Sequence, residues 1–161
     1  MQSKRLFATG GPAAAILIRA LVGAVFLSEG LQKFLFPEEV GSGRFAKIGF
    51  AAPDLIAHFV GSFEIASAIL VLLGLATRLA AIPLIAIMMT AIATTKLPIL
   101  LGRDLGPFHA PNLARLGFWA MAHEARADWS MLLGSLYLLI AGAGPWSIDA
   151  RLSRARPERD R

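Results

Sequence analysis

The chain lacks cysteine, and only 17% of its 161 residues are charged. Without cysteine there can be no disulfides, thiol redox relays, cysteine-ligated iron–sulfur clusters or thiolate zinc sites. The charged fraction falls below the ~25% typical of soluble domains. In contrast, 56% of the residues are hydrophobic and the mean hydropathy is +0.62. The composition therefore predicts a membrane protein of about four membrane-spanning helices.

Four apolar segments predict these spans. They cover residues 12–35, 54–76, 79–97 and 129–144. Most approach the ~20 residues needed to cross a ~30 Å hydrocarbon core, and the fourth is the shortest. Only two residues separate the second span from the third, which indicates a tight antiparallel hairpin. We predict an all-α polytopic protein, with a four-transmembrane-helix bundle as a single domain over residues 1–161.

The beginning of the chain also has features of a signal peptide, because Lys4 and Arg5 precede an apolar stretch. Arg19 interrupts that stretch, and no clean small-residue cleavage site follows it. We therefore interpret this stretch as a retained first span.

Basic residues flank the spans unequally. On the side of the two termini lie eight of them, namely Lys4, Arg5, Arg78, Arg151, Arg154, Arg156, Arg159 and Arg161. In or beside the opposite loops lie seven, namely Lys33, Arg44, Lys47, Lys96, Arg103, Arg115 and Arg126. Because basic loops stay in the cytoplasm, we predict a bacterial inner-membrane protein with both termini cytoplasmic. The basic tail, residues 149–161, is expected to bind anionic lipid head groups rather than nucleic acid.

Charged residues of both signs gather at the external end of the predicted spans. Glu64 lies deeper, about 15 Å into its span, where a charge needs a partner or a task. The candidate polar pocket comprises Arg19, Glu29, Lys33, Glu64, Lys96, His123, Glu124, Arg126 and Asp128. The alternative for the lysines and Arg126 is that they extend to the outer head groups. Carboxylates are too short to do so, which favours a joint cluster.

Glu64 lies on a helix face of small residues, which predicts that it points into the bundle. That face carries Ala57, Val60, Gly61, Ser67, Ala68 and Val71. Arg19 and Glu64 differ by only about 5 Å in depth, so a pair between them is geometrically possible. Such a pair could belong to a site or only fix helix register. The three histidines are too dispersed in sequence for a metal site, and none is predicted.

Several segments together resemble the DoxX family of small four-helix membrane proteins. They are FLSEGLQK (26–33), GRFAKIGF (43–50), GSFE (61–64), LGLATR (73–78), TTK (94–96), HEARAD (123–128) and GAGPWSID (142–149). The resemblance implies a four-helix membrane fold and a link to respiratory or sulfur redox chemistry or to membrane complexes that handle oxidative stress. Relatives include a subunit of a thiosulfate:quinone oxidoreductase. Glu29 is a departure, since many relatives have histidine there, and a proton-linked role does not carry over.

Three functions remain open. In the first, the chain is a subunit or accessory of a membrane redox system, more an accessory than a stand-alone enzyme. Its pocket would then bind a quinone or a small sulfur or oxidant species, beside a membrane or peripheral oxidoreductase partner. In the second, the chain is a non-catalytic scaffold, and its charges fix packing and dock a partner. In the third, the chain is a small proton-coupled solute carrier. Four short spans make a small carrier, so this function would favour a homo-oligomer.

Overall fold

The computed structural model describes residues 11–154, which form helices and no β-strand apart from an isolated bridge between Leu105 and Phe108. The elements are α1 (Ala15–Leu35), α2 (Ser42–Ile48), α3 (Pro53–Leu73), α4 (Thr77–Ala91), a π-helical segment (Ile92–Lys96), α5 (Leu97–Leu101), α6 (Phe118–Glu124), α7 (Arg126–Ala141) and α8 (Ile148–Arg154). The predicted all-α fold class is confirmed. The predicted basic tail lies partly outside the described residues, as do Lys4 and Arg5.

Within residues 11–154, three helices are long and apolar enough to cross a membrane, judged by length and composition. They are Ala15–Leu35, Pro53–Leu73 and Thr77–Leu101, the last running through the π segment. They match the first three predicted spans, with ends shifted by a few residues. The fourth predicted span corresponds to α7, whose 16 residues would extend about 24 Å. That α7 crosses the membrane remains a prediction.

Helices α1 and α3 approach closely because glycines face each other between them. A Cβ atom on Gly30 would lie 3.0 Å from the carbonyl oxygen of Gly61. A Cβ atom on Gly61 would lie 2.8 Å from the ring of Phe34. Small residues at such contacts are how helices pack tightly within lipid. Five of the six small residues predicted for the inward face of α3 are buried together with Glu64, and Val60 is partly buried.

The hydrophobic core lies where α1, α3, α4 and α7 meet. It is built from Val22, Phe26, Ala68, Val71, Ala80, Ala81, Leu84, Met131 and Leu138. This core occupies the middle of the bundle. It separates two polar regions, one at each end.

Arg19 and Asp149 organise the end that carries the α3–α4 hairpin. The guanidinium of Arg19 donates to the carbonyl oxygens of Val71 (2.9 Å), Leu72 (2.6 Å), Trp146 (2.7 Å) and Ala143 (3.3 Å). These carbonyls end α3 or follow α7, where helix geometry leaves acceptors unpaired.

Asp149 acts at the other side of the same hairpin. Its carboxylate accepts hydrogen bonds from the backbone N–H groups of Ala76 (2.8 Å) and Thr77 (3.1 Å). It thereby caps the beginning of α4, and its own N–H donates to the carbonyl oxygen of Gly74 at 2.9 Å. A carboxylate at a helix N-terminus is favourable because of the exposed N–H groups and the helix dipole.

The ion pair between Arg19 and Glu64 that the sequence suggested does not form, because Glu64 pairs with Lys33. Arg19 is held at Val71 and Leu72, and Val71 lies about 10 Å along α3 from Glu64 at ~1.5 Å per residue. The inference from similar depth considered only charged partners for Arg19. Backbone carbonyl groups at helix ends lack a partner within the helix, and they also accept hydrogen bonds from a deep arginine.

The predicted membrane crossing of α7 can be tested by topology mapping. We expect reporters fused after Arg161 and within the loop at Leu113 to give opposite signals, cytoplasmic and periplasmic respectively. The reason is that α7 is the one predicted span between that loop and the C-terminal region. Paired alkaline phosphatase and fluorescent-protein fusions provide the measurement. Identical signals from the two positions would exclude α7 as a span.

Candidate functional site

A cavity of about 580 Å³ lies at the end of the bundle opposite Arg19. Its walls are formed by the last turns of α1, by α2, by the first half of α3, by the end of α4 with the π segment, and by the beginning of α7. Most of its lining is apolar, including Val25, Phe26, Phe45, Phe59, Met88 and Met131. Because α1 runs towards this end and α3 runs away from it, residues distant in sequence converge here.

One wall carries a buried ion pair between α1 and α3. The Nζ atom of Lys33 lies 2.7 Å from Oε2 of Glu64 and 4.0 Å from Oε2 of Glu29. The Glu64 side chain is 3% exposed and that of Lys33 is 9% exposed, whereas that of Glu29 is 44% exposed. Breaking a buried pair of this kind costs far more than breaking a surface pair. The three residues form a charged series from the protein surface to the inside of the cavity.

Another wall carries a second pair, between the π segment and α7. The Nζ atom of Lys96 lies 3.3 Å from Oδ2 of Asp128, with side-chain exposures of 10% and 18%. Glu124 also lines the cavity and is exposed to solvent. Two lysine–carboxylate pairs from different helices therefore face one apolar space.

The structure brings together six of the nine residues predicted for the pocket. The cavity is lined by Glu29, Lys33, Glu64, Lys96, Glu124 and Asp128. Arg19 lies at the opposite end of the bundle, which corrects its place in the predicted pocket. His123 and Arg126 are exposed, and Nη1 of Arg126 donates to the carbonyl oxygen of His123. Neither of these two side chains lines the cavity, although Glu124 and Asp128 beside them do.

Two features of the site were missed from the sequence. Arg44 lines the cavity from α2, whereas the sequence had assigned it only to the basic residues of the external loops. The π segment was also missed, although threonines followed by Pro98 within a long apolar run are a signal for local helix distortion.

A second cavity, of about 480 Å³, adjoins the first on the loop side. Lys96, Thr95, Arg44 and Glu124 line both cavities, so the π segment stands between them. The loop over the second cavity is held to α2 by the N–H of His109, which donates to the carbonyl oxygen of Ile48 at 2.9 Å.

The same loop is shaped by Asp104, which lies outside the membrane-spanning segments. Its carboxylate accepts a hydrogen bond from the N–H of Ala110 at 2.8 Å and contacts Nδ1 of His109 at 3.0 Å. The Ala110 bond, followed by the His109 contact, lowers the pKa of Asp104 below its ordinary value. Because the folded pKa is depressed, this contribution to loop order is lost as the pH falls through that value.

Among residues 11–154, no three His, Asp or Glu side chains are grouped so as to hold a metal ion. The charged groups of the cavity can instead donate hydrogen bonds, through the lysines, and accept or release protons, through the carboxylates.

The chain is similar to two bacterial proteins over most of its length. It is 51% identical over 150 residues to an uncharacterized membrane protein of Mycobacterium tuberculosis, covering 93% of this chain and 88% of the relative. It is 28% identical over 135 residues to the Bacillus subtilis protein named "Putative oxidoreductase CatD", covering 83% of each. No solved structure shows significant similarity to it.

The profile of the DoxX family matches residues 14–97. The matched region contains both members of the Lys33–Glu64 pair together with Glu29 and Lys96, and it ends before Asp128. The match covers more than half of the 161 residues. The chain is therefore a membrane protein of the DoxX family.

Proposed function

We propose that this DoxX protein is an integral membrane subunit of a redox system and that its main cavity binds a quinone. The observation that carries this proposal is the presence of two lysine–carboxylate pairs, Lys33–Glu64 and Lys96–Asp128, in one apolar cavity. A quinone combines an apolar body with two carbonyl acceptors. A site for it needs apolar walls and separate hydrogen-bond donors, and this cavity has both.

The cavity fits such a molecule in size and chemistry. Small-molecule sites commonly enclose about 300–1,000 Å³, with mostly apolar walls and few polar groups. The value of 580 Å³ lies within that range. Exposed side chains of α3 at the cavity, such as Phe59, face the lipid side and would allow an isoprenoid tail to extend into the bilayer.

Each charged residue then has a definite task. Lys33 and Lys96 donate hydrogen bonds to oxygen atoms of the ligand and stabilise negative charge on them. Glu64 and Asp128 accept or return protons at the same positions. Glu29, half-exposed beside Lys33, connects this wall to solvent. A bound quinone supplies two-electron, two-proton chemistry, and the electrons come from an oxidoreductase partner of this subunit.

The oxidoreductase name of the Bacillus subtilis relative supports a redox setting. That name belongs to the relative, and its identity to this chain is 28%. The support is therefore for the class of chemistry and not for a substrate.

The scaffold alternative rests on the same ion pairs. Lys33–Glu64 joins α1 to α3, and Lys96–Asp128 joins the π segment to α7. If holding helices were their only task, replacing a pair with neutral residues of similar shape would leave ligand binding unaffected. This difference separates the two functions experimentally.

We also propose a location in the bacterial inner membrane with both termini in the cytoplasm, as the basic residues predict. The main cavity then opens in the external half of the bundle. Arg151 and Arg154 on α8 are exposed and would lie at the cytoplasmic head groups.

The quinone proposal is tested with purified protein in nanodiscs and decylubiquinone as the probe. The double variant Lys96→Gln, Asp128→Asn replaces both charged groups with neutral amides on unbranched side chains. We expect its affinity to fall about ten- to a hundredfold, because a hydrogen bond from a charged donor contributes ~1.5–3 kcal/mol. The melting temperature should change little, because no unpaired charge is left behind.

The matched control is Arg126→Gln, which removes a nearby positive charge that lies outside the cavity. It is expected to bind decylubiquinone as the unmodified protein does. Equal affinity in the double variant and the unmodified protein, or saturable binding in neither, would favour the scaffold.

A further inference from the structure

The long helix Thr77–Leu101 contains a five-residue π-helical segment, Ile92–Lys96, which ends two residues before Pro98. Its defining hydrogen bond runs from the N–H of Leu97 to the carbonyl oxygen of Ile92, five residues back. A π segment adds one residue to a helical turn, and such segments are frequent at functional sites. This one ends on Lys96, a residue of the candidate site.

The segment decides which way Lys96 points. Along α4 the buried positions Thr77, Ala81 and Leu84 lie on one face, which Met88 and Ala91 continue to the cavity. At ~3.6 residues per turn, a regular helix would next bring residue 95 to this face. Lys96 would lie about 100° away, since each residue turns the helix by that angle. The extra residue of the π segment moves Lys96 into the inward place, where it is 8% exposed.

Pro98 gives a physical reason for the distortion. In a regular helix its ring would meet the carbonyl group of Thr94, and it has no N–H to donate to that group. In the π segment the backbone hydrogen bond runs five residues back instead of four. The wider turn avoids the contact between the ring of Pro98 and this carbonyl group.

Threonine hydroxyls stabilise the distorted turn. Oγ1 of Thr94 donates to the carbonyl oxygen of Thr90 at 2.8 Å, and Oγ1 of Thr95 donates to that of Ala91 at 2.6 Å. Threonines that bond four residues back in this way commonly bend or loosen helices. They supply donors to carbonyls beside the turn at which the regular pattern is interrupted.

We propose that Pro98 is the positioning residue for Lys96: by enforcing the π segment it turns the lysine into the main cavity, against Asp128 and towards the ligand. The part of this inference that concerns the ligand rests on the proposed function. The part that concerns the direction of Lys96 does not, and it can be measured separately.

The natural absence of cysteine makes the direction measurable by cross-linking. Cysteines are placed at Lys96 and Asp128, and a short bis-methanethiosulfonate reagent is applied in native membranes. We expect efficient cross-linking with Pro98 present and background cross-linking with Pro98→Ala, in which position 96 turns outward. Removing Ala93 from the Pro98→Ala protein should restore cross-linking, because a regular helix one residue shorter returns position 96 to the inward face.

Pro83→Ala is the matched control, since Pro83 also lies within α4 but precedes the π segment. It should leave cross-linking intact. A milder double variant, Thr94→Val with Thr95→Val, removes the hydroxyl groups that stabilise the π segment and should reduce the cross-linking rate. It tests the effect of the π segment on Lys96 if the proline variants fail to fold. Undiminished cross-linking in Pro98→Ala or in the threonine pair overturns the proposal, as does failure of the Ala93 deletion to restore it.

Decylubiquinone affinity is then measured in proteins that keep Lys96 and Asp128. We expect about a tenfold or greater loss in Pro98→Ala, comparable to losing one charged hydrogen bond, and recovery on removing Ala93. If cross-linking follows the expected pattern and affinity does not, the positioning role stands and the quinone proposal fails.

Discussion

Replacing Glu64 with leucine is expected to lower the free energy of unfolding by about 3–5 kcal/mol, as removal of one partner of a buried ion pair does. The reason is that Lys33, 9% exposed and 2.7 Å from Glu64, would keep its charge without its closest partner. Glu29 is 4.0 Å from Lys33 and half-exposed, so it can replace only part of the lost interaction. Thermal unfolding in a mild detergent measures the loss.

The double variant Lys33→Met, Glu64→Leu is the informative comparison. Removing both charges together eliminates the uncompensated ion, and apolar replacements of buried pairs are often neutral. We therefore expect the double variant to be more stable than Glu64→Leu alone, with a coupling of about 1–3 kcal/mol in the cycle. Losses that simply add would mean that the 2.7 Å contact contributes nothing to folding.

These stability results have a functional counterpart. If the double variant is stable and yet does not bind decylubiquinone, the pair is needed for the ligand and not for the fold. Polar groups that are retained at a cost to stability are typical of functional sites. A scaffold role predicts instead that function is lost only in variants that also lose stability.

The two polar ends of the bundle differ in a way that assigns them different tasks. At the Arg19 end, the charged groups bond to backbone groups at helix ends. Arg19 donates to four carbonyl oxygens, and Asp149 accepts from two N–H groups. At the cavity end, charged side chains bond one another and face an open space. The first arrangement closes a fold, whereas the second leaves charged groups available to a ligand.

Much of the fold could be predicted from the sequence because span length and hydropathy follow directly from bilayer thickness. The inward direction of Glu64 was also predictable, since the small residues around it repeat with the helical period. The partner of Glu64 was not. Lys33 was assigned to the outer edge of its span, and only the close approach of α1 and α3 at Gly30 and Gly61 brings it to Glu64.

Lys96 shows a second limit of sequence reasoning. Its membership of the site was predicted from its depth in the membrane, but regular helical geometry would have turned it away from the cavity. Depth depends on residue count, which the sequence provides. Direction depends on whether each turn is regular, and the π segment changes that locally.

Arg19 provides the second large expected effect. Arg19→Leu should destabilise the protein by about 4 kcal/mol or more, since each hydrogen bond from a charged donor contributes ~1.5–3 kcal/mol and this side chain donates to four carbonyl oxygens. Arg19→Lys should recover only part of the loss, because an ammonium cannot reproduce the planar arrangement of guanidinium donors. Space around the group is limited as well: a Cβ atom on Gly74 would lie 2.7 Å from Cζ of Arg19.

The decisive measurement for Arg19 is a pair of double-mutant cycles followed by thermal unfolding. Because Arg19 bonds to α3 about 10 Å along the helix from Glu64, the losses from Arg19→Leu and Glu64→Leu are expected to add within about 0.5 kcal/mol. The cycle between Lys33 and Glu64, carried out under the same conditions, should show coupling. Strong coupling between Arg19 and Glu64 would contradict the separation of the two ends. Decylubiquinone affinity, measured below the melting temperature of the Arg19→Lys protein, should match that of the unmodified protein, because this residue holds helix ends and does not contact the cavity.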